Sequence, residues 1–441
     1  MHDLRLGCGT RGAVGESVLT AGFSRVDGAL WCDEVPLDRL SAEVGTPAYV
    51  YSARVIREQF QRLSTALSGV RHRLHYSVKA NSSLAVLQLL RELGGGVDIV
   101  SGGELFRSLK AGFTGGDIVF SGVGKTQREL REALEAGVLL INVESEPELR
   151  LLDTIAGAMG RVAPVALRVN PEVTVDTPHP YTRTGERGAK FGIPHDDVIE
   201  VARAAVAMKN IELLGLDMHV GSQIAQFGPY EDGIGKLLEL RTAIDALGGA
   251  PLRYLDAGGG LAVTYDTERP VDVEQFAARI GPLVTASGLE LILEPGRYIV
   301  GNAGVLLTTV LYRKRSGGSE YVITDAGMND LLRPSHYHAY HRIEAVVPAS
   351  GRAVANVVGP VCESGDFLAL DRDIENVSEG DVLSVQSAGA YGFVMASNYN
   401  SRPRAAEVLV DGDRYAVVTE RESYDDLIRQ ERVTPHWRTL S

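Results

Sequence analysis

The clearest pattern in this chain is a repeated switch between short apolar runs and longer amphipathic stretches. It extends from about residue 74 to residue 299; the runs have the length of buried strands, and the stretches have the period of surface helices. Eight strands are predicted: Leu74–Val78, Gly96–Val100, Ile118–Ser121, Leu139–Val143, Val165–Val169, Leu213–His219, Tyr254–Asp256 and Glu290–Leu293. Seven helices are predicted between them: Leu84–Leu93, Ser101–Ala111, Gln127–Ala136, Glu146–Ala158, His195–Met208, Tyr230–Leu247 and Val273–Ala286.

Strands that alternate with helices form a parallel sheet, because each helix carries the chain back to the start of the next strand. Two α/β architectures fit this alternation, a doubly wound open sheet and a closed (β/α)8 barrel. Eight units within about 230 residues favour the barrel, in the manner of a TIM barrel.

The pattern changes after Gly301, where the apolar runs become β-rich and are separated by Gly, Pro, Asp and Ser instead of helices. Such runs predict a mostly antiparallel β domain. Its strands are predicted at Val305–Tyr312, Tyr321–Thr324, Ile343–Val347, Ala353–Val358, Val382–Val385, Arg404–Val410 and Arg414–Val418.

Before the barrel, the pattern predicts a strand at Gly28–Val35, a short helix at Pro36–Val44 and a strand at Pro47–Tyr51. Ser52 is a good N-cap for a helix over Ala53–Leu67. The domain organisation predicted is an N-terminal arm with strands joining the β domain (1–45), a barrel (46–303) and a C-terminal β domain (304–441).

Composition narrows the class of protein. The 441 residues are 44% hydrophobic and 23% charged, which is an ordinary globular composition, and the formal net charge of −13 argues against binding nucleic acid or an anionic membrane. Cys8, Cys32 and Cys362 are too few and too widely spaced for a disulfide framework, which fits a reducing cytoplasm. We see no signal peptide and no run near the ~18 apolar residues of a membrane span.

The ends of the predicted barrel strands carry the candidate chemistry. In a (β/α)8 barrel these ends meet at one face, where active sites form. Taken singly, a lysine there is a solvated charge and a glycine-rich turn is only a tight turn, but their coincidence at successive strand ends predicts a site. The residues at those ends are Lys79, Asp98, His219 with Ser222, Asp256 with Gly258, Gly259 and Gly260, and Glu294 with Gly296 and Arg297.

These residue types suit a ligand with a phosphate, a ring and an aldehyde. Glycine-rich turns free backbone N–H groups for a phosphate. A histidine stacks on the ring, a carboxylate pairs with a ring nitrogen, and a lysine amine forms a Schiff base. Pyridoxal 5′-phosphate has all of these parts.

Two other motifs point elsewhere and are set aside. The segment 122–126 (GVGKT) is similar to a P-loop, but Val119 stands where the first glycine belongs, so Thr126 is predicted to cap the next helix instead. His336, His338 and His341 lie close together in sequence, but further zinc ligands cannot be placed, and no metal is expected.

With these residues in place, the chain resembles the fold type III pyridoxal-phosphate-dependent amino-acid decarboxylases, which share the architecture of alanine racemase. The resemblance covers about residues 45 to 410, in the order expected of the family. The stretches that carry it are YSVKAN (76–81), HVGSQ (219–223), DAGGG (256–260), EPGRY (294–298), MNDLLRPSHY (328–337), GPVCESGD (359–366) and GAYGFVMASNYNSRPR (389–404).

The resemblance implies a role for each strand-end residue. Lys79 resembles the lysine that forms the internal aldimine, His219 the residue stacked on the pyridine ring, and Glu294 the partner of the pyridine nitrogen. A carboxylate at that nitrogen favours decarboxylation over racemisation, because it keeps the ring protonated. The cofactor-binding positions implied besides these are Asp98, Ser222, Gly258, Gly259, Gly260, Gly296, Arg297 and Tyr391.

The resemblance also implies a proton donor, because the family returns a proton to Cα with a cysteine and Cys362 lies at that position. In the family this segment and Tyr391 come from the β domain and reach the barrel mouth of a partner subunit. A homodimer with two shared active sites is therefore implied, in which one chain alone lacks its acid.

For the substrate, the match is to the diaminopimelate subgroup. Arg297, Arg333 and Tyr337 resemble its clamp on the distal carboxylate, Tyr391 lies near both phosphate and substrate, and Glu363 would take the distal ammonium. The reaction implied is decarboxylation of meso-2,6-diaminopimelate to L-lysine and CO2, the last step of lysine biosynthesis.

Three alternatives stay open. The first is a paralogous decarboxylase of this fold that acts on ornithine, lysine, arginine or a carrier-bound amino acid. The second is a racemase of the same architecture, and the third is a non-catalytic carrier of the cofactor. Departures from the family wording lie in the first 25 residues, in 179–185 and in 335–338.

Overall fold

The barrel predicted from the sequence is present and closed. The computed structural model describes residues 21–440 apart from 176, 180–183 and 186–187. Its eight parallel strands hydrogen-bond in sequence, and the last pairs with the first through Leu291–Leu293 and His72–Leu74. These strands are His72–Ser77, Gly96–Ile99, Ile118–Phe120, Leu140–Val143, Ala163–Asn170, Ile211–Met218, Tyr254–Asp256 and Glu290–Leu293. The (β/α)8 fold class is therefore confirmed.

Helices cover the outside of the barrel, and local caps explain where several begin. Ser52 accepts a hydrogen bond from the Val55 N–H at 3.2 Å, and Thr126 exchanges bonds with Glu129 in a capping box. The Thr126 cap confirms that the GVGKT segment opens a helix by capping. The barrel helices are Ala53–Ala66, Leu84–Glu92, Gly102–Lys110, Gln127–Ala136, Glu146–Ala158, Val198–Ala207, Gly228–Asp245 and Val273–Ser287.

The side chains inside the barrel form layers, because every second residue of a strand points to the inside. A floor of apolar side chains is formed by Val119, Leu140, Ala166, Leu214 and Ile292. Two residues further along four of these strands the same face carries polar groups, because side chains of one strand alternate between its two faces. On the sixth strand a bulge between Leu213 and Gly215 shifts this spacing to three. The polar residues that follow the floor are Ser121, Asn142, Arg168, Asp217 and Glu294.

The C-terminal domain is a mostly antiparallel sheet built largely from residues after 303. Its central path runs through Phe367–Glu375, Arg352–Val358, Ser319–Thr324, Gly304–Ser316, Ala48–Ser52, Ala406–Asp411 and Arg414–Thr419, and the pair Ile343–Ala345 and Val382–Val385 branches from it. Phe367–Glu375 was not predicted, since charged residues interrupt its apolar run. A domain boundary at residue 46 assigns Ala48–Ser52 to the barrel, whereas its hydrogen bonds join it to this sheet.

The N-terminal segment packs on the β domain. Strands Phe23–Val26, Ala29–Cys32 and Val35–Pro36 form a small antiparallel sheet that leads into helix Leu37–Val44. The Leu30 N–H donates to the Val346 carbonyl at 2.8 Å, so this sheet is tied to the domain that follows the barrel. Residues 1–20, the first part of the predicted arm with Cys8, lie outside the described residues. Within the described residues, no helix combines the length and the apolar character that crossing a bilayer requires.

Lys125, from the P-loop-like segment, has a fully buried side chain. Its ammonium donates to the carbonyls of Gly122 at 2.8 Å and Asn142 at 2.6 Å and to the Glu148 carboxylate at 2.9 Å. Lys125 therefore ties the loop after the third barrel strand to the fourth strand and to the helix Glu146–Ala158.

Replacing Lys125 by Met should lower the free energy of unfolding by about 3 kcal/mol, because the Glu148 carboxylate and two carbonyls lose a buried partner. Equilibrium urea unfolding followed by circular dichroism measures the change. Lys209→Met, at an exposed lysine, is the matched control and should change stability by less than about 0.5 kcal/mol. A loss no larger than that of the control would contradict a structural role for Lys125.

Candidate active site

Lys79 forms a partly buried ion pair at the mouth of the barrel. The first strand ends at Ser77 and runs into a short 3-10 turn, Val78–Ala80, that carries the lysine. The Lys79 Nζ lies 3.2 Å from Asp98 Oδ2, and that same oxygen accepts from the Ser77 hydroxyl at 2.8 Å. Asp98 is fully buried, whereas a third of the Lys79 side chain is exposed. The amine is thus anchored from below and reachable from the mouth.

The charge of Lys79 is set by its neighbours. Burial lowers the pKa of its ammonium, but the nearby charges of Asp98 and then Glu294 outweigh burial and raise this pKa above the usual value. In the protein alone, the amine is therefore held in its charged form.

Three carboxyl groups come together on the barrel axis. Oxygens of Asp217, Asp256 and Glu294 all lie within 4.8 Å of one another, and the three side chains are buried. Burial, followed by the charges of the other two and Asp98, raises the pKa of Glu294 well above its usual value, and burial raises the pKa of Asp256 to about 7. This layer of carboxyl groups consequently retains protons near neutral pH.

Hydrogen bonds fix the orientation of these carboxyl groups. Glu294 accepts from the Ser121 hydroxyl at 3.1 Å. Asp256 accepts from the Gly258 N–H at 3.0 Å and from the Asn142 amide at 3.3 Å. The Glu294 and Asp256 carboxyl groups are therefore oriented by side chains from the third and fourth strands, across the barrel.

Arg168 is the cation that balances this layer from within the barrel. Its guanidinium donates to Glu144 at 2.7 Å and lies 3.8 Å from an Asp217 oxygen. Sequence reasoning missed Arg168 and Asp217, which were read as part of core strands. The signal was a charged residue within an otherwise apolar run, since such a residue is buried only with a partner.

His219 presents a neutral ring. Its backbone carbonyl accepts the Thr184 hydroxyl proton at 2.8 Å, so that hydroxyl can only accept from the ring nitrogen Nδ1, 2.9 Å away. The proton of the ring is then on Nδ1. Burial, followed by the charges of Lys79 and Arg168, lowers the pKa of His219 well below its usual value. A flat, uncharged ring suits stacking on an aromatic ligand.

The glycine-rich turns leave no room for side chains. A Cβ on Gly259 would lie 2.2 Å from the Glu294 carbonyl, and one on Gly260 would lie 2.3 Å from the Gly221 carbonyl. Gly258 and Gly260 also have positive φ angles of 68° and 100°, which favour glycine. Within the described ranges, the N–H groups of Gly259 and Gly260 donate to no protein acceptor, so they are free for an anion.

The eighth strand leads into Gly296 and Arg297. A Cβ on Gly296 would come within 3.0 Å of both Ser77 and Ala80, so the turn packs directly against the segment that carries Lys79. The Arg297 guanidinium donates to the Tyr265 hydroxyl at 2.6 Å and to the Ser222 hydroxyl at 3.1 Å. Tyr265 follows the glycine-rich turn and has no sequence signature, so sequence reasoning missed it.

Arg333 reaches the same place from the β domain. Its guanidinium lies 4.6 Å from the centre of the Tyr265 ring, and Nη1 is 2.8 Å from Nε2 of the buried His341. Tyr337 lies one turn further along the short helix Arg333–Tyr337 and contacts the ring of His179. The structure therefore brings together two arginines and Tyr265, whereas His341 lies behind them as a partner of Arg333.

Tyr391 occupies the barrel mouth of its own chain. Its N–H donates to the Ala80 carbonyl at 2.8 Å, and its ring lies 4.7 Å from the Arg297 guanidinium. The expectation that this tyrosine reaches a partner subunit is wrong, because these contacts lie within one chain.

Cys362 and Glu363 lie apart from this cluster on an exposed loop. Within the described residues, their contacts are to the β domain: the Cys362 N–H donates to Asn400 at 2.8 Å, and Glu363 bonds the Tyr399 hydroxyl. Asp366 fixes the base of the loop by accepting from the N–H groups of Met328 and Val361 at 2.6 Å each. The loop is held in place by its own chain while its tip faces outwards.

The site fits the predicted cofactor. A buried oxygen of Asp98, Oδ1, and the buried Nε of Arg297 lack hydrogen-bond partners among the described residues, which indicates that a polar ligand completes them. An amine, a buried carboxyl group, a neutral ring and free backbone N–H groups match the aldehyde, pyridine and phosphate of pyridoxal 5′-phosphate.

Comparison with known proteins points to the same cofactor as the geometry of the site. Residues 53–301 match the family described as "Pyridoxal-dependent decarboxylase, pyridoxal binding domain". Diaminopimelate decarboxylase of Pseudomonas aeruginosa is 47% identical, over 94% of this chain and 99% of the relative. That of Neisseria meningitidis serogroup A is 45% identical, over 91% and 98%.

A solved structure extends the similarity to the fold. The crystal structure of diaminopimelate decarboxylase from Helicobacter pylori complexed with L-lysine has a TM-score of 0.86 and 39% sequence identity. The match covers 90% of this chain and 99% of that chain, so both domains are included.

Replacing Asp98 by Asn should lower the pKa of Lys79, because it removes the largest charge that opposes burial. In the cofactor-free protein, the neutral amine then appears at lower pH. Competitive labelling with acetic anhydride, read by mass spectrometry across pH, measures the midpoint for Lys79. Asp373→Asn, at an exposed carboxylate of the β domain, should leave the midpoint unchanged, and an equal midpoint in Asp98→Asn would contradict the assigned ion pair.

Proposed function

This chain belongs to the diaminopimelate decarboxylases of the pyridoxal-dependent decarboxylase family, and from that membership we propose that it converts meso-2,6-diaminopimelate to L-lysine and CO2. It is a carboxy-lyase and its cofactor is pyridoxal 5′-phosphate. The proposed reaction is the last step of lysine biosynthesis.

The observation that carries the proposed substrate is the pair of guanidiniums at the barrel mouth. Arg333 is buried and Arg297 is partly buried beside Tyr265, and each has little access to solvent for its charge. Two such cations are costly without an anion. Diaminopimelate has a second carboxylate at its distal end for them, whereas lysine, ornithine and arginine each have only one, which the reaction removes.

Lys79 is proposed to hold the cofactor and to release it to the substrate. When bound, pyridoxal phosphate supplies an aldehyde that condenses with amines and a ring that accepts the electron pair left by loss of CO2. The Lys79 amine is placed for the aldehyde by Asp98, whose Oδ2 lies 3.2 Å away.

The buried carboxyl groups are proposed to keep the ring nitrogen protonated. Glu294 lies at the centre of the layer, and its raised pKa means that its carboxyl can carry a proton in the protein alone. A ring nitrogen placed against that oxygen would share this proton. His219, neutral and held by Thr184, would cover one face of the ring.

The proposed phosphate site consists of the free N–H groups of Gly259 and Gly260 with the neighbouring Ser222 and Gly296. Tyr391 would close this site from the β domain, since its N–H is bonded to the segment that carries Lys79. These residues bind and orient the cofactor and exclude water from the barrel mouth.

The proton that replaces the lost carboxyl group is proposed to come from Cys362 of the partner subunit. The support is that this loop is exposed yet rigidly held by Asn400 and Asp366, as a group presented to another molecule would be. Glu363 on the same loop would bind the distal ammonium, and Tyr337 would complete the carboxylate clamp. The proposal therefore includes a homodimer with shared sites. Cys32 and Cys362 form no disulfide within the described residues, which supports a reducing cytoplasm as the proposed compartment.

The substrate assignment predicts CO2 release from one member of a panel. The cofactor-loaded wild-type protein, incubated with meso-2,6-diaminopimelate, L-lysine, L-ornithine and L-arginine, should release CO2 only from the first and form L-lysine. Release is measured with 14C-carboxyl-labelled substrates. Release from a diamine monocarboxylate alone would replace the assignment by a related decarboxylase. Loss of the optical rotation of one of the L-amino acids without CO2 release would replace it by a racemase.

Shared sites predict recovery of activity on mixing two inactive variants. Lys79→Ala and Cys362→Ala should each lose most activity, but a subunit-exchanged mixture should regain about a quarter of the wild-type value, since half of the dimers then contain one site with both residues intact. Mixing either variant with itself is the control. No recovery, with exchange proven by mass spectrometry, would place Cys362 in the site of its own chain.

A further inference from the structure

Tyr265 lies between the two guanidiniums of the proposed clamp. Its hydroxyl accepts from Arg297 at 2.6 Å, while its ring face lies 4.6 Å from the centre of the Arg333 guanidinium. One side chain thus holds the first arginine through its oxygen and the second through its π face. The two contacts use different parts of the same ring, so they fix the two cations relative to each other.

Tyr265 is itself held rigidly. Its N–H and that of Asp266 donate to a single Glu268 oxygen at 3.0 and 2.7 Å. The neighbouring Thr264 carbonyl accepts from Asn302 at 3.1 Å and from Ser387 at 3.3 Å. The loop after the glycine-rich turn is therefore fixed to both domains at the point where Tyr265 stands.

His341, whose ring lies edge to face with Tyr265 at 5.4 Å between ring centres, also holds Arg333. The Gln386 carbonyl can only accept, so the ring nitrogen Nδ1, 2.8 Å away, carries the proton. Nε2 then has a lone pair, and it accepts from Arg333 Nη1 at 2.8 Å. The ring is completely buried, and burial together with the Arg333 charge lowers the pKa of His341 well below its usual value. The histidine therefore stays neutral, as an acceptor must.

We infer that Tyr265 and His341 are positioning residues of the carboxylate clamp, which set the spacing and direction of Arg297 and Arg333 for the distal carboxylate of the substrate. This inference rests on the proposed function. Two guanidiniums beside each other repel, and without fixed partners they would turn away from a common anion. Tyr265 from the barrel and His341 from the β domain prevent this, so specificity for a second carboxylate depends on both domains.

The inference predicts different outcomes for two substitutions of His341. Gln at 341 can place its amide oxygen near the Nε2 position and keep an acceptor for Arg333, whereas Asn can reach only the Nδ1 position and loses it. His341→Asn should raise the KM for meso-2,6-diaminopimelate about tenfold or more, the cost of a lost hydrogen bond to a charged group. His341→Gln should stay within about threefold of the wild type, and kcat should change little in either.

Inhibition distinguishes a displaced clamp from a damaged fold. L-lysine retains the distal carboxylate and cadaverine lacks it, so His341→Asn should weaken inhibition by L-lysine and leave inhibition by cadaverine unchanged. The absorbance of the bound cofactor should also be unchanged. His338→Asn, at an exposed histidine of the same segment, is the matched control and should behave as the wild type.

Tyr265→Phe tests the contact between Tyr265 and Arg297. It also keeps the inference testable if His341→Asn does not fold. It keeps the ring for Arg333 but removes the acceptor of Arg297, so KM and the L-lysine inhibition constant should again rise about tenfold. Wild-type values of both in Tyr265→Phe, or equal values in His341→Asn and His341→Gln, overturn the inference. A wild-type protein inactive on diaminopimelate overturns the proposed function instead.

Discussion

The structure depends on a balance of buried charge inside the barrel. Below the mouth lie the carboxyl groups of Asp98, Asp217, Asp256 and Glu294, and the cations that face them are Lys79 and Arg168. Carboxyl groups in excess of cations cannot all be ionised when buried, so some keep protons and their pKa values rise. The same imbalance holds Lys79 in its charged form. This charge distribution suits a ligand that has a protonated ring nitrogen facing the carboxyl groups and an aldehyde facing the amine.

The sequence could predict this arrangement because strands and helices alternate with a regular period. A two-residue period and a closed barrel bring the ends of successive strands together, so Lys79, His219, Gly258 and Glu294 were found from their positions alone. The same period explains what was missed. Arg168 and Asp217 lie on the inward face, but in apolar runs; a charge in such a run indicates a buried partner, but the run does not say that the partner lies beside it on the adjacent strand.

Contacts between elements distant in sequence set the remaining limits of prediction. Tyr265 and His341 lie 76 positions apart and meet only because the β domain folds over the barrel mouth. Strand Ala48–Ser52 precedes the barrel, yet it pairs with strands that begin at Gly304 and Ala406. Neither relation has a local signal. Tyr391 was recognised as a site residue from its motif, but the subunit that it serves depends on the path of the chain between domains.

The junction of the two domains is where the site acquires its specificity. Tyr391 has a φ angle of 56°, which costs a non-glycine residue free energy, and its N–H bond to Ala80 and its stacking on Arg297 hold it there. Asn400 has the same φ and holds the N–H of Cys362. The strained backbone at Tyr391 thus places its ring over the chain's own barrel mouth. The backbone at Asn400 helps to hold Cys362 on the exposed loop. Under the proposed function, a chain built in this way would hold the groups for cofactor and carboxylate in its own site and present its acid to a neighbour.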